Sequence, residues 1–458
     1  MLQRLHNAAA LGTLIFFLQH AALGIAPVQG AEVFERDGLT LGLGLEVGAG
    51  YFDTRNTNFG LGRIDLQTGE ISGDAQWLEG YVEPSIEAAY EADDAGTFYG
   101  AASAIGALTR WDGDAGGFTS GDEEDVDPEY LYAGWRSGTL LADGLGEDAL
   151  DFSFGAQDFQ IGDGFLIWDG DFDTGNDGAY WLMPRSAFDL AGVARLNTTP
   201  IGAQTFYLRG DDDHGHAELV GANAEHVSDF GTFGGTYFWI FGTDGGFDAE
   251  TPREGMQVAS LRTSELHWPD FEDLMLYAEV AAEFGDGEEA DFNAQAFYVE
   301  PTYTFSWLPW SPALAYRFAY FSGDSDPDDD DREDFDPLFY GMSRGWGTWF
   351  QGEITGEYLL FNSNQVNHMV HLSAQPLESV ATGLIYYHFD LAEKNYFGTP
   401  VSDKDFADEV NFYVDWTVND NLLIGALYGA AWPGKAAEEV FGDDEVFHLF
   451  QVYATLTF

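Results

Sequence analysis

Fourteen arginines and three lysines carry the positive charge of this 458-residue chain, and the two types are placed differently. Lys394, Lys404 and Lys435 fall in loops or near the ends of strand-like segments. Several arginines instead lie inside segments of period-two alternation, on the parity opposite the apolar residues. Arg136 alternates against Leu131 and Trp135, and Arg195 against Leu190, Ala194 and Leu196. Arg209 does so against Phe206 and Leu208, Arg262 against Leu261, and Arg317 against Leu314, Tyr316, Phe318 and Tyr320. A guanidinium is always charged and donates two parallel hydrogen bonds from a planar fork, so it suits carboxylates better than an ammonium does. Arginines reserved for one face of a sheet therefore read as an anion pathway. The competing use is an internal ion-pair lattice with acids such as Asp189, Glu357 or Asp415.

The remaining charge is acidic: 79 acids against 17 bases give a net charge of −62. Such a field repels phosphate backbones, which excludes nucleic acid as a partner. It fits acidic loops solvated in salty water, or loops that collect divalent cations near anionic lipopolysaccharide. The densest run, residues 323–341 (GDSDPDDDDREDFDPLFYG), offers Asp324, Asp326 and Asp328 as candidate Ca2+ ligands. It lacks the glycine and closing glutamate of an EF-hand loop. No other cofactor is indicated. The absence of cysteine removes disulfides, zinc–thiolate sites and thiol nucleophiles. His368 and His371 are three apart and on a strand face opposite ways, so they cannot share a metal. No serine sits in a nucleophile-elbow context, and the chain is not expected to be an enzyme.

The elements that would hold these arginines are strands. Residues 447–458 (FHLFQVYATLTF) alternate cleanly, with Phe450, Val452, Ala454, Leu456 and Phe458 on one parity and mostly polar residues on the other. Outer-membrane barrels show this two-faced pattern, with aromatics at the interfaces. The stretch also resembles the closing strand of bacterial outer-membrane proteins, which implies that Phe458 belongs to the signal read by the barrel-assembly machinery. At the other end, Arg4 and His6 precede a short apolar run and small residues follow. Residues 1–30 thus read as a secretory signal peptide, leaving 458 − 30 = 428 residues as a single barrel domain, 31–458.

Nineteen strand-like segments can be marked in that domain, one of them at 346–360. Single-chain bacterial barrels have even strand numbers, so the expected fold is an all-β, transmembrane, antiparallel up-and-down barrel of eighteen strands, with sixteen next. Alternation turns Glu409, Asp415 and Arg317 inward. The longest breaks, 111–127, 162–180 and 323–345, should lie at the extracellular end.

Two motifs, residues 155–173 (GAQDFQIGDGFLIWDGDFD) and 335–341 (FDPLFYG), resemble the alginate export family of outer-membrane porins. The resemblance implies an 18-stranded barrel in the outer membrane with an arginine-rich constriction that passes an anionic uronate polymer. The expected function is thus a channel for an anionic polysaccharide or oligosaccharide, with Arg136, Arg195, Arg209, Arg262 and Arg317 on the solute pathway. The alternatives are a general or small-anion porin of the same architecture, or a non-conducting structural or adhesin-like barrel. The expected partners are the anionic sugar, the lipid bilayer with its lipopolysaccharide, and the assembly machinery. Deletion of Phe458 should sharply lower the yield of heat-modifiable, detergent-stable barrel, which gel mobility with and without boiling measures.

Overall fold

The computed structural model describes residues 31–458 except 67, 93–94, 171–176, 212–215, 244–252, 288–289, 328, 330, 342–343, 345 and 347–350. The segment read as an export signal, 1–30, lies outside the described residues. Eighteen long strands follow one another around a closed ring. They are β1 (Leu39–Arg55), β2 (Gln76–Ala92), β3 (Gly96–Trp111), β4 (Glu124–Arg136), β5 (Leu150–Gln157), β6 (Phe188–Leu196), β7 (Ile201–Arg209), β8 (Glu218–Ser228) and β9 (Gly231–Gly242). The second half comprises β10 (Gln257–Trp268), β11 (Phe271–Asp286), β12 (Asp291–Thr304), β13 (Ala313–Phe321), β14 (Gln365–Leu377), β15 (Val380–Leu391), β16 (Asp405–Asn419), β17 (Leu422–Pro433) and β18 (Phe447–Thr457). Each strand pairs antiparallel with the next, and β18 closes on β1 from Glu46↔Thr457 to Arg55↔His448. Closure leaves no open edge in the hydrocarbon layer, where an unpaired backbone group would cost several kcal/mol.

Phe458 extends the seam: its N–H donates to the Leu45 carbonyl at 2.9 Å and its carbonyl accepts from Leu45 N–H at 3.1 Å. It shares the outward parity of Phe450 and is half exposed. Below it, a short strand, Ala31–Arg36, occupies the rest of the β1 edge by pairing with Leu39 to Leu43.

Outward-facing positions carry an exposed apolar band that includes Leu43, Val82, Phe154, Leu261, Val280, Leu314, Leu384 and Phe412. In water such a band would be a liability; around a barrel it is the lipid face. Tyr316 and Leu314 lie on it, which turns Arg317 inward as alternation predicts. Glu409 and Asp415 also face inward.

The connections sort by end. The three longest, 56–75, 158–187 and 322–364, leave the tops of upward strands, as does 112–123; this is the extracellular end by the usual asymmetry of such barrels. Tight turns join β8 to β9 and β16 to β17 at the opposite end, where a longer turn, 137–149, also lies.

Two of the long connections fold back into the barrel. The segment 346–360, expected as a strand, belongs to one of them. Its end is a single π-turn, Gly356–Leu360, with all five residues buried. This segment has a strand's length and apolar content, but its described residues 351–360 are all buried and pair with no barrel strand. Removing it from the nineteen segments leaves the observed eighteen.

Inward glutamates of the wall hold these loops by their backbones. Glu79 on β2 accepts Trp181 N–H (3.0 Å), Leu182 N–H (2.9 Å) and the Trp77 indole N–H (2.8 Å). Glu129 on β4 accepts Ser186 N–H (3.0 Å) and Ala187 N–H (2.9 Å). Glu409 on β16 accepts three successive amides, Glu353 (2.8 Å), Ile354 (3.1 Å) and Thr355 (2.7 Å). A buried loop must find partners for its amides, and a carboxylate, being acceptor-only with two oxygens, takes several at once.

Burial, with Glu409 beside it, pushes the Glu353 carboxyl up to about 8. A seated loop therefore holds that proton more tightly than a released one. Seating is strongest at low pH and weakens as pH rises from the ordinary carboxylate range toward 8. Hydrogen-exchange protection of the 353–355 amides should fall across that window beyond the intrinsic pH effect. Glu353→Gln should flatten the dependence.

Candidate functional site

The inward loops meet inside the extracellular half of the barrel, and the two sequence motifs singled out above are paired with each other. Ile167 and Phe339 form a parallel bridge. Trp168 N–H donates to the Phe339 carbonyl (2.6 Å), Phe339 N–H to Leu166 (3.2 Å) and Gly341 N–H to Gly164 (2.9 Å). A Cβ at Gly341 would sit 2.3 Å from the Trp168 ring, so the closing glycine of FDPLFYG is sterically required. Phe159, Phe165, Tyr180 and Trp181 from one loop and Phe335, Phe339 and Ile354 from the other pack on inward residues Phe52, Trp77, Phe206, Phe238 and Phe321. The upper inner wall is therefore apolar as well as the lipid face.

A salt bridge pins this core. Asp336 accepts Arg253 Nε at 2.9 Å and Nη2 at 2.8 Å, with both side chains 2% exposed. Asp336 N–H in turn donates to Glu283 on β11 (3.0 Å).

Below the core a polar node crosses the lumen. Asp163, from the first motif, accepts the Tyr298 hydroxyl (2.6 Å) and Arg344 Nε (3.1 Å). Glu300 on β12 accepts Arg317 Nε at 2.5 Å and also binds Arg344. The Arg344 guanidinium lies 3.9 Å from the Tyr277 ring centroid, a stacked cation–π contact. Arg262 lies over Gly234 and reaches Thr236 (2.8 Å), Asn223 (2.7 Å) and Glu225. Nearer the periplasmic end, Arg136 donates to Asp151 (2.9 Å) and covers the Tyr99 ring at 4.6 Å. Arg195 occupies the register position beside Asp151 on the next strand, 5.9 Å from the Phe159 ring.

Four of the five arginines expected on the pathway thus face inward: Arg136 and Arg195 flank one carboxylate, while Arg262 and Arg317 stand on separate strands of the central node. Arg209 does not. Phe206 and Leu208 are the inward residues of β7, and Arg209 shares the outward parity of Tyr207, donating to Asp189 at 3.0 Å. The parity argument fails there because Phe206 packs on Phe159, 4.8 Å between centroids, so the apolar face of that strand is its inner one. Of the acids of the expected lattice, Asp189 pairs with Arg209, whereas Asp415 accepts from Trp346 (2.6 Å) and Tyr453 (2.9 Å). The lumen partners are Asp151, Asp163, Glu225 and Glu300.

Arg344 and Arg253 were not anticipated, since they come from loops with no alternation to read. Among the candidate cation ligands, Asp328 lies outside the described residues. Asp324 accepts the Asp326 amide (2.9 Å) and neither belongs to a three-ligand group among the described residues. His368 and His371 face opposite ways, toward Tyr316 (2.8 Å) and Tyr413 (3.0 Å).

Comparison with known proteins agrees with this architecture. The alginate export family model matches residues 41–445. The chain belongs to the alginate export family. Among solved structures it is similar to Pseudomonas aeruginosa OccK8 (OprE), with a TM-score of 0.57 and 10% identity over 91% of this chain and 98% of that one. The outer membrane protein OpdK of the same organism gives 0.54 and 11% over the same shares. OpdQ gives 0.55 and 11%, again over 91% and 98%. At such identities the likeness concerns the fold alone. No curated protein matches the sequence. Family and fold together place the alginate-export chain in the bacterial outer membrane and indicate a channel rather than an enzyme.

Burial opposes ionisation of Asp336, but Arg253 and then Arg332 outweigh it and hold its carboxyl down to about 2. Its share of loop seating is present above the ordinary carboxylate range and is lost only as pH falls toward 2. Arg253→Ala leaves the buried Asp336 carboxylate with only Arg332, at 3.4 Å, as its charge partner and should cost about 3 kcal/mol of loop stability. Protection of the 335–341 amides at neutral pH measures the loss.

Proposed function

We propose that this barrel passes an anionic, uronate-containing oligosaccharide or polysaccharide, with Arg136, Arg195, Arg262 and Arg317 offering successive carboxylate sites along the inner wall. The observation that carries the reading is the family membership joined to inward guanidiniums at different depths. Arg136 lies near the periplasmic end and is one third exposed, and Arg262 and Arg317 lie at mid-barrel. A guanidinium already paired with a carboxylate exchanges one carboxylate for another at little net electrostatic cost, which is how a polyanion could advance without falling into a deep well. The solute enters beside the inward loops, so passage through the extracellular half requires their displacement from Glu79, Glu129 or Glu409.

The pairing of Arg136, Arg262 and Arg317 with acids also favours the second reading, a general or small-anion porin. In that case the arginines screen by charge and recognise no sugar. Outside the barrel, the lipid face meets phospholipid and lipopolysaccharide, and the terminal Phe458 serves the assembly machinery.

Single-channel recording in planar bilayers tests these readings together. The uronate reading expects anion preference in the reversal potential and current block by oligouronates but not by neutral oligosaccharides of equal length. Arg195→Ala should weaken that block by roughly five- to hundredfold, the loss of one charge-assisted fork at about 1–3 kcal/mol. Anion preference without oligouronate block supports the small-anion porin. A barrel that never conducts leaves the structural reading.

A further inference from the structure

The buried loop that replaces the expected strand faces a wedge of polar groups with nothing to bond. Gln351 in the loop is fully buried, and neither atom of its amide has a hydrogen-bond partner. Asn367 on β14 is in the same condition. The two are neighbours in the fold. Asn367 is register-paired with Phe389 on β15, and the loop residue after Gln351, Gly352, sits so close to Phe389 that a Cβ there would lie 3.0 Å from the ring. Two residues along β14 on the same buried face, the Gln365 Oε1 is also buried and open.

An unsatisfied amide in a dry interior is destabilising, and native folds rarely tolerate one, let alone two in one region. The open atoms also define what would satisfy them. Amide N–H groups are open as well as oxygens, so a bare cation would leave donors unpaired. Glu353 and Glu409 stand beside the wedge, so an anion would be repelled. What remains is an uncharged group that donates and accepts at one atom, a hydroxyl.

We propose that the wedge between Gln351, Gln365 and Asn367 is a binding site for hydroxyl groups, supplied by ordered water or by the uncharged face of a sugar ring. It deepens the channel reading above by giving the solute a neutral contact apart from the arginines, and it rests on that reading only for the sugar. Tyr387, inward on β15 two residues from Phe389, adds an aromatic wall of the kind on which sugar rings lie. Because all these groups are sealed under the 351–362 segment, a sugar could reach them only after Glu409 releases that segment.

The test compares wild type with Gln351→Met, in the loop and off the barrel wall, and Asn367→Leu, in the full-length barrel. Heat-modifiable gel mobility verifies that each variant is closed. Two measurements follow: exchange protection of the 353–355 amides, with and without a neutral hexasaccharide, and hexasaccharide binding by calorimetry. If water fills the site, both variants lose protection roughly tenfold, the hexasaccharide has no effect, and a high-resolution crystal structure shows ordered water on both amides. If sugar fills it, the hexasaccharide binds wild type and each variant binds roughly tenfold more weakly, whatever the result with oligouronates. Either outcome supports the site. It is overturned if the apolar variants protect the loop as well as or better than wild type and the hexasaccharide does not bind. Failure of the uronate reading shows separately, as absent oligouronate block with the wedge results intact.

Discussion

Everything inside this barrel depends on carboxylates accepting backbone amides. A closed ring of strands satisfies its own main chain, but a loop turned inward brings a row of N–H groups into a space with little water. Glu79, Glu129, Glu283 and Glu409 meet that need from four different strands. Without them the two inward loops would keep their aromatic packing and their bonds to each other, but the amides that face the wall would lose their acceptors. The same interaction sets the depth at which each loop sits, because each glutamate is fixed by its strand register.

The acidity of the chain therefore has two physical origins. Acids in the loops at the rim are solvated, and their mutual repulsion is screened over about 10 Å in ordinary salt. Acids on the inner wall bind amides, guanidiniums or, at Asp415, an indole and a phenol, and the central node alternates sign from Asp163 to Arg344 to Glu300 to Arg317. Removing either sign from that row would strand the other in a low-dielectric site. The lumen is accordingly mixed in charge, and an arriving anion competes for guanidiniums with acids already in place.

How much of this could be read beforehand follows from what alternation reports. Alternation separates a face in lipid from a face that is polar, so it located Arg317 and Glu409 correctly, where Leu314 and Tyr316 on one strand and Phe412 on the other mark the outside. It says nothing when both faces are apolar, which is the state of β7 around Phe206 and Leu208, and so Arg209 was assigned inward. Segment 346–360 failed for a related reason: a fully buried loop and a strand of the same length carry the same apolar content, and only the absent ladder tells them apart. The pairing of 155–173 with 335–341 was visible as two notable motifs but not as one contact, since neither carries a pattern that names its partner. The clamping role of Glu409 depends on which loop turns inward, a fact held in no local spacing.

The bridge between Ile167 and Phe339 joins positions 172 residues apart in the chain, and β6 through β13 lie between them. Contacts of such long separation form late, after the intervening chain has found its place. The strands β6 to β13 must therefore be in place before the two motifs can meet. A chain halted short of β13 leaves the aromatics of the first motif without the second motif that covers them.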